Sequence, residues 1–273
     1  MPDLVARIAS LWRYPVKSCA GEAVDTLKLD ADGWPEGDRG WGVVDAGGEL
    51  TWMGAHPRLA LVSARFVDDG LQLQAEDRSL TVPLAGGTEI VARGWNGERQ
   101  DFDALQCWDA GDGAAALLRA ATGESLRLVR LSHAAQRRPL LNALHVIGDG
   151  SFKAWQEALT QPLSGFAQRA RPNIVLQADD GTELTPFIED LFMEARIGAL
   201  MLSRTAVCVR CVMPTVDPAT GVLQPAVLEA LTQLSAERAP GAPVQFGVYA
   251  RGNGVGVLRV RDRVELSLNF GDA

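Results

Sequence analysis

The chain has 273 residues, a formal net charge of −8 and a hydrophobic content of 47%. This length suits one large domain or two modest ones, and the apolar content excludes global disorder because it can offset the entropy of folding. The acidic balance disfavours a nucleic-acid partner, since a general duplex binder needs a basic surface. A local basic pocket for a small anion is still allowed.

Cysteine usage and hydropathy indicate the compartment. Four cysteines are present: Cys19, Cys107, Cys208 and Cys211. This density is too low for a disulfide scaffold in a chain of this size, so we expect reduced thiols and a cytoplasmic protein. Arg7 and Arg13 interrupt the apolar residues of the N-terminus, so no signal peptide is predicted. No run approaches the ~20 apolar residues of a membrane-spanning helix, and we expect no membrane partner.

Short apolar runs separated by Gly, Asp and Pro dominate the N-terminal part of the chain. They predict strands at residues 4–11, 24–29, 42–44, 59–66, 71–74, 80–82 and 89–92. Strands of this length at short spacing favour an antiparallel sheet, and a barrel or curled sheet would remove its exposed edges.

The remainder of the chain mixes helices with further strands. Helical spacing predicts helices at residues 114–121, 151–159 and 224–238, the first ending before Gly123 and the second capped by Ser151. Strands are predicted at residues 126–131, 173–177, 197–202, 244–250, 256–260 and 264–268. Residues 93–100 and 133–142 are predicted to be the least regular segments. The fold class is therefore mixed and β-rich (α+β), with a few helices.

The most distinctive motif is the Cys-x-x-Cys pair Cys208 and Cys211. A zinc site is disfavoured because no second ligand pair follows. A thioredoxin-like dithiol is disfavoured because Pro214 and Pro218 argue against a following helix. Two interpretations stay open: buried inert thiols, or one thiolate that binds a metal held on a cofactor, with Arg210 lowering the thiol pKa.

Several basic residues stand beside predicted strands. Lys17 and Ser18 form a plausible phosphate grip in a loop between a proline and a glycine, and Arg39 precedes a strand. Arg169, Arg171 and Asn173 lead into another strand. In an acidic protein this placement favours a specific anion site, although each residue alone could be an ordinary ion-pair partner.

The motifs at residues 14–19, 38–41, 171–175 and 208–221, in this order, resemble MOSC-domain proteins with an N-terminal MOSC β-barrel domain. The resemblance covers nearly the whole chain and is greatest to the mitochondrial amidoxime reducing component and its bacterial relatives. It implies an N-terminal β-barrel domain at residues 1–124 and a MOSC β-barrel domain at residues 125–273.

The resemblance also implies a molybdenum cofactor, a pterin dithiolene that carries a phosphate, and a set of residues for it. Cys211 is the implied molybdenum ligand and catalytic residue, whereas Cys208 is implied to be structural. The implied cofactor-binding residues are Lys17, Ser18, Arg39, Arg169, Arg171, Asn173 and Asp217.

Three positions depart from the family pattern. Gly40 stands where relatives usually have a bulky aromatic residue, and Arg261 stands where they usually have Gly. Residues 148–151 replace a more apolar turn.

The resemblance implies an oxidoreductase that reduces N-hydroxylated compounds such as amidoximes, hydroxylamines and hydroxylated nucleobases. The chain contains no cysteine cluster for an iron–sulfur centre, so we expect electrons to come from a separate iron–sulfur or flavin protein. Two alternatives remain: a molybdenum-cofactor carrier or sulfur-relay module without turnover of its own, and a structural β-barrel adaptor.

Overall fold

The computed structural model describes residues 1–138 and 141–271. Its strands, in chain order, are β1 (Leu4–Arg13), β2 (Glu22–Val24), β3 (Thr26–Leu29), β4 (Trp41–Val44), β5 (Ser63–Val67), β6 (Gly70–Ala75), β7 (Arg78–Val82), β8 (Thr88–Asn96), β9 (Asp101–Asp109), β10 (Arg127–Leu131), β11 (Leu144–Gly148), β12 (Ile174–Ala178), β13 (Phe192–Ile197), β14 (Leu200–Val209), β15 (Gln245–Gly252), β16 (Gly256–Arg259) and β17 (Arg263–Leu268). The α-helices are α1 (Asp112–Thr122), α2 (His133–Gln136), α3 (Asp149–Glu157), α4 (Phe166–Ala170) and α5 (Ala226–Arg238).

Seven strands form a closed barrel in the order β12-β11-β15-β14-β13-β17-β1, and β2 extends the sheet beside β1. The barrel closes because β1 pairs on one side with β12 and on the other with β17. Side chains such as Ile8, Val146 and Leu202 fill the interior. Closure satisfies the edges that an open sheet would expose, and it confirms the predicted β-rich class.

A second, smaller unit contains a four-stranded sheet, β4-β10-β9-β8, and a three-stranded sheet, β5-β6-β7. Helix α1 packs Leu117 and Leu118 against a core that includes Leu71 and Leu73 of β6. This unit supplies one wall of the cleft described below, and the barrel supplies the other.

The pairing of the strands does not divide at the predicted boundary after residue 124. Strand β1 lies in the barrel, and β3 pairs with β16 near the C-terminus. The N-terminal strands therefore connect both units, and the division into 1–124 and 125–273 stays a prediction about the sequence.

The three predicted long helices are confirmed as α1, α3 and α5. Ser151 is not the cap of α3, because the helix begins at Asp149 and the buried Ser151 hydroxyl donates instead to Glu189. The strand predicted at residues 197–202 is wrong, because β13 ends at Ile197 and a turn leads into β14.

The two segments predicted to be irregular are partly regular. Residues 93–96 belong to β8 of a long hairpin, and residues 133–136 form α2, whereas residues 139–140 lie outside the described residues. Among the described residues, no helix has the length and apolar character to cross a membrane.

Candidate cofactor site

A cleft of about 240 Å³ lies where the barrel meets the smaller unit. Six of the predicted site residues line it: Lys17, Ser18, Arg39, Arg171, Asn173 and Cys211. Segments far apart in sequence meet here because β1, β11, β12, β14 and β15 are neighbours in one barrel.

The loop after β1 carries Lys17 and Ser18. Its backbone is held to the smaller unit, since Lys17 N donates to the carbonyl oxygen of Trp41 at 2.8 Å. Burial lowers the pKa of Lys17 to about 8, and the positive charge of Arg138 adds to this effect while Cys211 opposes it. Lys17 is thus a partly buried amine that faces a second cation, which an anion bound between them would stabilise.

Arg39 and Arg171 both lie over the ring of the buried Tyr14, with guanidinium carbons 4.8 and 4.2 Å from its centroid. The buried carboxylate of Asp38 accepts from Tyr14 N at 2.7 Å and pairs with Arg39. Burial opposes the charge of Arg39, but Asp38 outweighs it and raises the pKa of Arg39. Burial lowers the pKa of Arg171 to about 10. Of these two arginines, Arg39 pairs with a carboxylate, whereas Arg171 pairs with none among residues 1–138 and 141–271.

Asn173 connects the two sides of this cluster. Its Oδ1 accepts from His145 N at 3.1 Å and from Arg39 Nη1 at 3.3 Å, and its Nδ2 donates to the carbonyl oxygen of Trp12 at 3.2 Å. Asn173 is fully buried, and its direct contact is with Arg39, whose guanidinium it orients.

Three of the predicted site residues hold a left-handed backbone: Ser18 at φ 72°, Arg39 at φ 50° and Arg171 at φ 60°. Non-glycine residues in this region cost of order 1–3 kcal/mol each, and such strain concentrates at functional sites. Arg261 has φ 73°, which explains why a glycine suits its position in the family pattern.

The two cysteines of the motif have opposite surroundings. Cys211 is exposed and lines the cleft just beyond the end of β14, whereas Cys208 is fully buried within that strand. All four cysteines are free. Only Cys211 of the pair is accessible to a ligand in the cleft.

Arg169 and Asp217 do not line the cleft. Arg169 has a side chain with 0% exposure and pairs with Asp217 at 2.8 Å. It also donates to the carbonyl oxygens of Pro214 and Val216, both at 3.2 Å. Asp217 Oδ1 in turn accepts from two backbone amides of the Asp-Pro-Ala-Thr-Gly turn, which confirms that predicted turn. The pair therefore supports the segment after Cys211, and its role in cofactor binding stays a prediction.

Four further residues line the cleft although the sequence does not predict them as cofactor-binding residues: Arg138, His145, Arg210 and Tyr249. Register explains two of them, because His145 in β11 lies opposite Tyr249 in β15. The only sequence signal for each of these two residues is its position as an isolated polar residue inside an apolar strand. For Arg210, the sequence predicts only that it lowers the pKa of the neighbouring thiols.

Several buried donors around the cleft lack partners among the described residues: Ser18 Oγ, Arg171 Nη2 and Arg210 Nε. Buried polar atoms are normally satisfied, so these donors indicate an acceptor-rich ligand. The described residues contain no cluster of three or more His, Cys, Asp or Glu side chains that could hold a metal ion. The residues present thus fit an anionic cofactor that brings its own metal ligands and takes one thiolate from the protein.

The comparisons with known proteins agree with this fold. The chain matches the MOSC N-terminal beta barrel domain at residues 5–123 and the MOSC domain at residues 134–265. It belongs to the family of MOSC-domain proteins that carry this N-terminal domain.

Among its relatives, the chain is 30% identical over 290 residues to mitochondrial amidoxime-reducing component 1 of Mus musculus, covering 96% of this chain and 82% of that protein. It is 29% identical over 292 residues to the Homo sapiens protein of the same name, covering 96% and 83%. It is also 27% identical over 259 residues to a molybdenum cofactor sulfurase of Drosophila mojavensis, covering 89% of this chain but 31% of the sulfurase.

Proposed function

We propose that the protein is a molybdenum-cofactor-binding oxidoreductase that reduces N-hydroxylated compounds such as amidoximes, hydroxylamines and hydroxylated nucleobases. The observation that carries this proposal is the position of Cys211: one exposed thiol at a cleft lined by buried donors that lack partners. Electrons would come from a separate iron–sulfur or flavin protein. The free thiols support a reducing compartment, and we place the activity in the cytoplasm.

The chain's own residues would divide the work of holding the cofactor. Cys211 would complete the sulfur ligation of the metal, since thiolates suit soft and high-valent metals. Lys17, Ser18 and Arg171 would bind the phosphate and the polar edge of the pterin, while Asp38 and Asn173 keep Arg39 in place. When bound, the cofactor supplies two-electron oxygen-atom transfer.

The relatives' names support this choice of substrate and cofactor. Two of the similar proteins are called amidoxime-reducing components and one a molybdenum cofactor sulfurase. The amidoxime-reducing components align over most of their own length, whereas the sulfurase aligns over less than a third. This difference favours the reductase over the alternative.

The test compares wild type with Cys211→Ala after expression in a host that makes the cofactor. We expect wild type to contain molybdenum and pterin and to reduce benzamidoxime with a chemical reductant. Cys211→Ala should lose turnover and keep its fold, because the thiol is exposed. The matched control is Cys107→Ala, which removes a buried thiol of the smaller unit. A molybdenum-loaded Cys211→Ala variant with the wild-type rate would show that the ligand assignment is wrong.

The alternative is a cofactor carrier or sulfur-relay module, and the similarity to the sulfurase supports it. A carrier would deliver its pterin to a molybdenum enzyme that lacks it, and it would show no turnover with the chemical reductant. Turnover that depends on Cys211 would exclude this alternative.

A further inference from the structure

A polar cluster in the cleft wall consists of His145, Arg210 and Tyr249, which line the cleft, together with the buried Cys208. Cys208 is 0% exposed and His145 is 3% exposed. His145 lies opposite Tyr249, and Tyr249 lies opposite Ala206, so β11, β15 and β14 meet in one row. The proposed function uses none of these four residues as a ligand of the metal.

Cys208 reaches this cluster because of an irregularity in its strand. The register of β14 against β15 shifts between Val207 and Val209, which places Cys208 within the irregular step. Such bulges redirect side chains and are frequent next to functional sites. The sulfur accepts a hydrogen bond from Arg210 Nη1 at 3.0 Å.

Arg210 connects three parts of the barrel end. Besides Cys208, its Nη2 donates to the carbonyl oxygen of Ala170 at 3.0 Å, and its backbone N donates to the carbonyl oxygen of Val244 at 2.7 Å. Arg210 directly precedes Cys211 in the chain. Its anchoring by Cys208 therefore limits where the Cys211 thiol can lie.

His145 anchors the other side of the cleft. Its Nδ1 lies 3.3 Å from the carbonyl oxygen of Arg171, and its Nε2 lies 3.1 Å from the carbonyl oxygen of Phe246. Carbonyl oxygens only accept, so the tautomer of the ring decides which of the two contacts is a hydrogen bond. The carbonyl oxygen of Arg171 also accepts from Arg39 Nη2. Both contacts therefore hold the strained backbone of Arg171 in place.

The groups around the Cys208 sulfur shift the pKa values within this cluster. Burial would raise the pKa of Cys208, but His145 and Arg210 outweigh it and lower the pKa well below the usual range. Burial together with Cys208 raises the pKa of the Tyr249 phenol. The lowered pKa of Cys208 suits a sulfur that accepts a hydrogen bond from a buried guanidinium.

We propose that Cys208 is a positioning residue for the cofactor site. Its buried sulfur anchors Arg210 and thereby fixes Cys211 on one wall of the cleft, while His145 holds the backbone of Arg171 on the other. This inference rests on the proposed function for the identity of the ligand. Residues that orient metal ligands typically change metal affinity by 10–100-fold when they are replaced, and we expect a loss in this range.

The first test uses the full-length protein without cofactor and measures unfolding by denaturant. Cys208→Ser keeps the approximate size of the side chain and removes the sulfur, and Arg210→Gln removes the guanidinium that donates to it. The effects of the two substitutions should be strongly non-additive, because each leaves the other residue without its partner. Cys107→Ser is the control, since Cys107 is buried in another core, and it should be additive with Arg210→Gln. Additive effects for Cys208 would overturn the network.

The second test measures how fast the loaded protein releases its molybdenum. We expect Cys208→Ser to release it about 10–100-fold faster than wild type and Cys107→Ser to match wild type. Cys208→Asp restores a negative charge, so it should recover much of the retention, which a role in packing alone does not predict. Equal release from wild type and Cys208→Ser would overturn the proposal.

The two tests separate this inference from the proposed function. A wild-type protein that holds no molybdenum would contradict the proposed function, and the unfolding cycle would then decide the network without any cofactor. A wild-type protein that holds molybdenum as tightly as Cys208→Ser would leave the function intact and remove the positioning role.

Discussion

Lys17 combines a stability cost with a binding role. Burial and the neighbouring Arg138 lower its pKa from 10.5 to about 8. The unfolded chain therefore binds more protons than the folded chain between these two values, so the stability of the ligand-free protein should rise across that interval. Lys17→Met should remove this rise and stabilise the ligand-free protein at neutral pH by on the order of 1–2 kcal/mol.

The same substitution should weaken cofactor retention, because a phosphate would lose its cation. Denaturant unfolding at several pH values and the molybdenum content of loaded protein measure the two effects. Lys28→Met is the control, since Lys28 lies exposed on β3 and should change neither quantity. A Lys17→Met variant that is both less stable and fully loaded would contradict this assignment.

Glu189 is a second buried titratable group, and it lies beside the interior of the barrel. Its Oε2 accepts from the Ser151 hydroxyl at 2.9 Å, whereas its Oε1 has no partner among the described residues. Burial raises the pKa of Glu189 from 4.5 to about 7, even though the Ser151 hydrogen bond opposes the change. The folded chain thus binds the extra proton between these two values.

We expect this group to make stability fall as the pH rises from 4.5 to about 7. The fall amounts to roughly 1.4 kcal/mol for each pKa unit and levels off above the folded pKa. Glu189→Gln should remove the fall and raise stability at pH 8, as measured by denaturant unfolding. Glu183→Gln changes an exposed carboxylate paired with Lys153 and should leave the fall unchanged. A fall that persists in Glu189→Gln would contradict the assignment.

At the level of elements, the segment from Cys211 to α5 depends on one buried arginine. Arg169, at the end of α4, donates to three carbonyl oxygens, to Asp217 and to Gln224. Removal of one partner from a buried ion pair costs about 3–5 kcal/mol because the other charge stays buried. Arg169→Gln should therefore destabilise the protein by about this amount and also lower molybdenum retention.

Arg196→Gln provides a matched control for that experiment. Arg196 pairs with Glu265 on the barrel surface, and 59% of its side chain is exposed. An exposed pair contributes about 0–1 kcal/mol, so this variant should remain near wild type in both thermal stability and molybdenum content. Equal effects of the two substitutions would show that Arg169 does not organise the segment.

Local sequence patterns predicted the three longer helices. These patterns failed where the pairing of distant strands determines the structure. Residues 89–92 of β8 were predicted as a strand, but β9 and the rest of the hairpin were not, because the solvent face is polar and burial alternates along both strands. The cleft residues in loops, such as Lys17 and Arg39, carried motif signals. His145 and Tyr249 did not, because only the barrel register brings these two strand residues together. Arg169, predicted as a cofactor-binding residue, forms a buried ion pair with Asp217, and sequence alone cannot distinguish these two roles.

At the scale of the whole molecule, β1 is the strand on which barrel closure depends. Ala6 is paired with Ala178 of β12 on one side and with Val264 of β17 on the other. Without β1, both neighbouring strands become open edges, and the pocket for Ile8 in the barrel core is left empty. The predicted boundary at residue 124 would therefore cut through the closed barrel.

Residues 125–273 expressed alone should not fold cooperatively, since burial of each large apolar side chain contributes about 1.5–3 kcal/mol and an open barrel also exposes its edges. Residues 1–29 joined to residues 125–273 by a flexible linker should restore cooperative thermal unfolding, because β1 then closes the barrel and β3 pairs with β16. A linked variant with Ile8→Asp is the control, because it keeps the strand but places a charge in the core. Cooperative unfolding of residues 125–273 without β1 would show that the barrel can close by another arrangement.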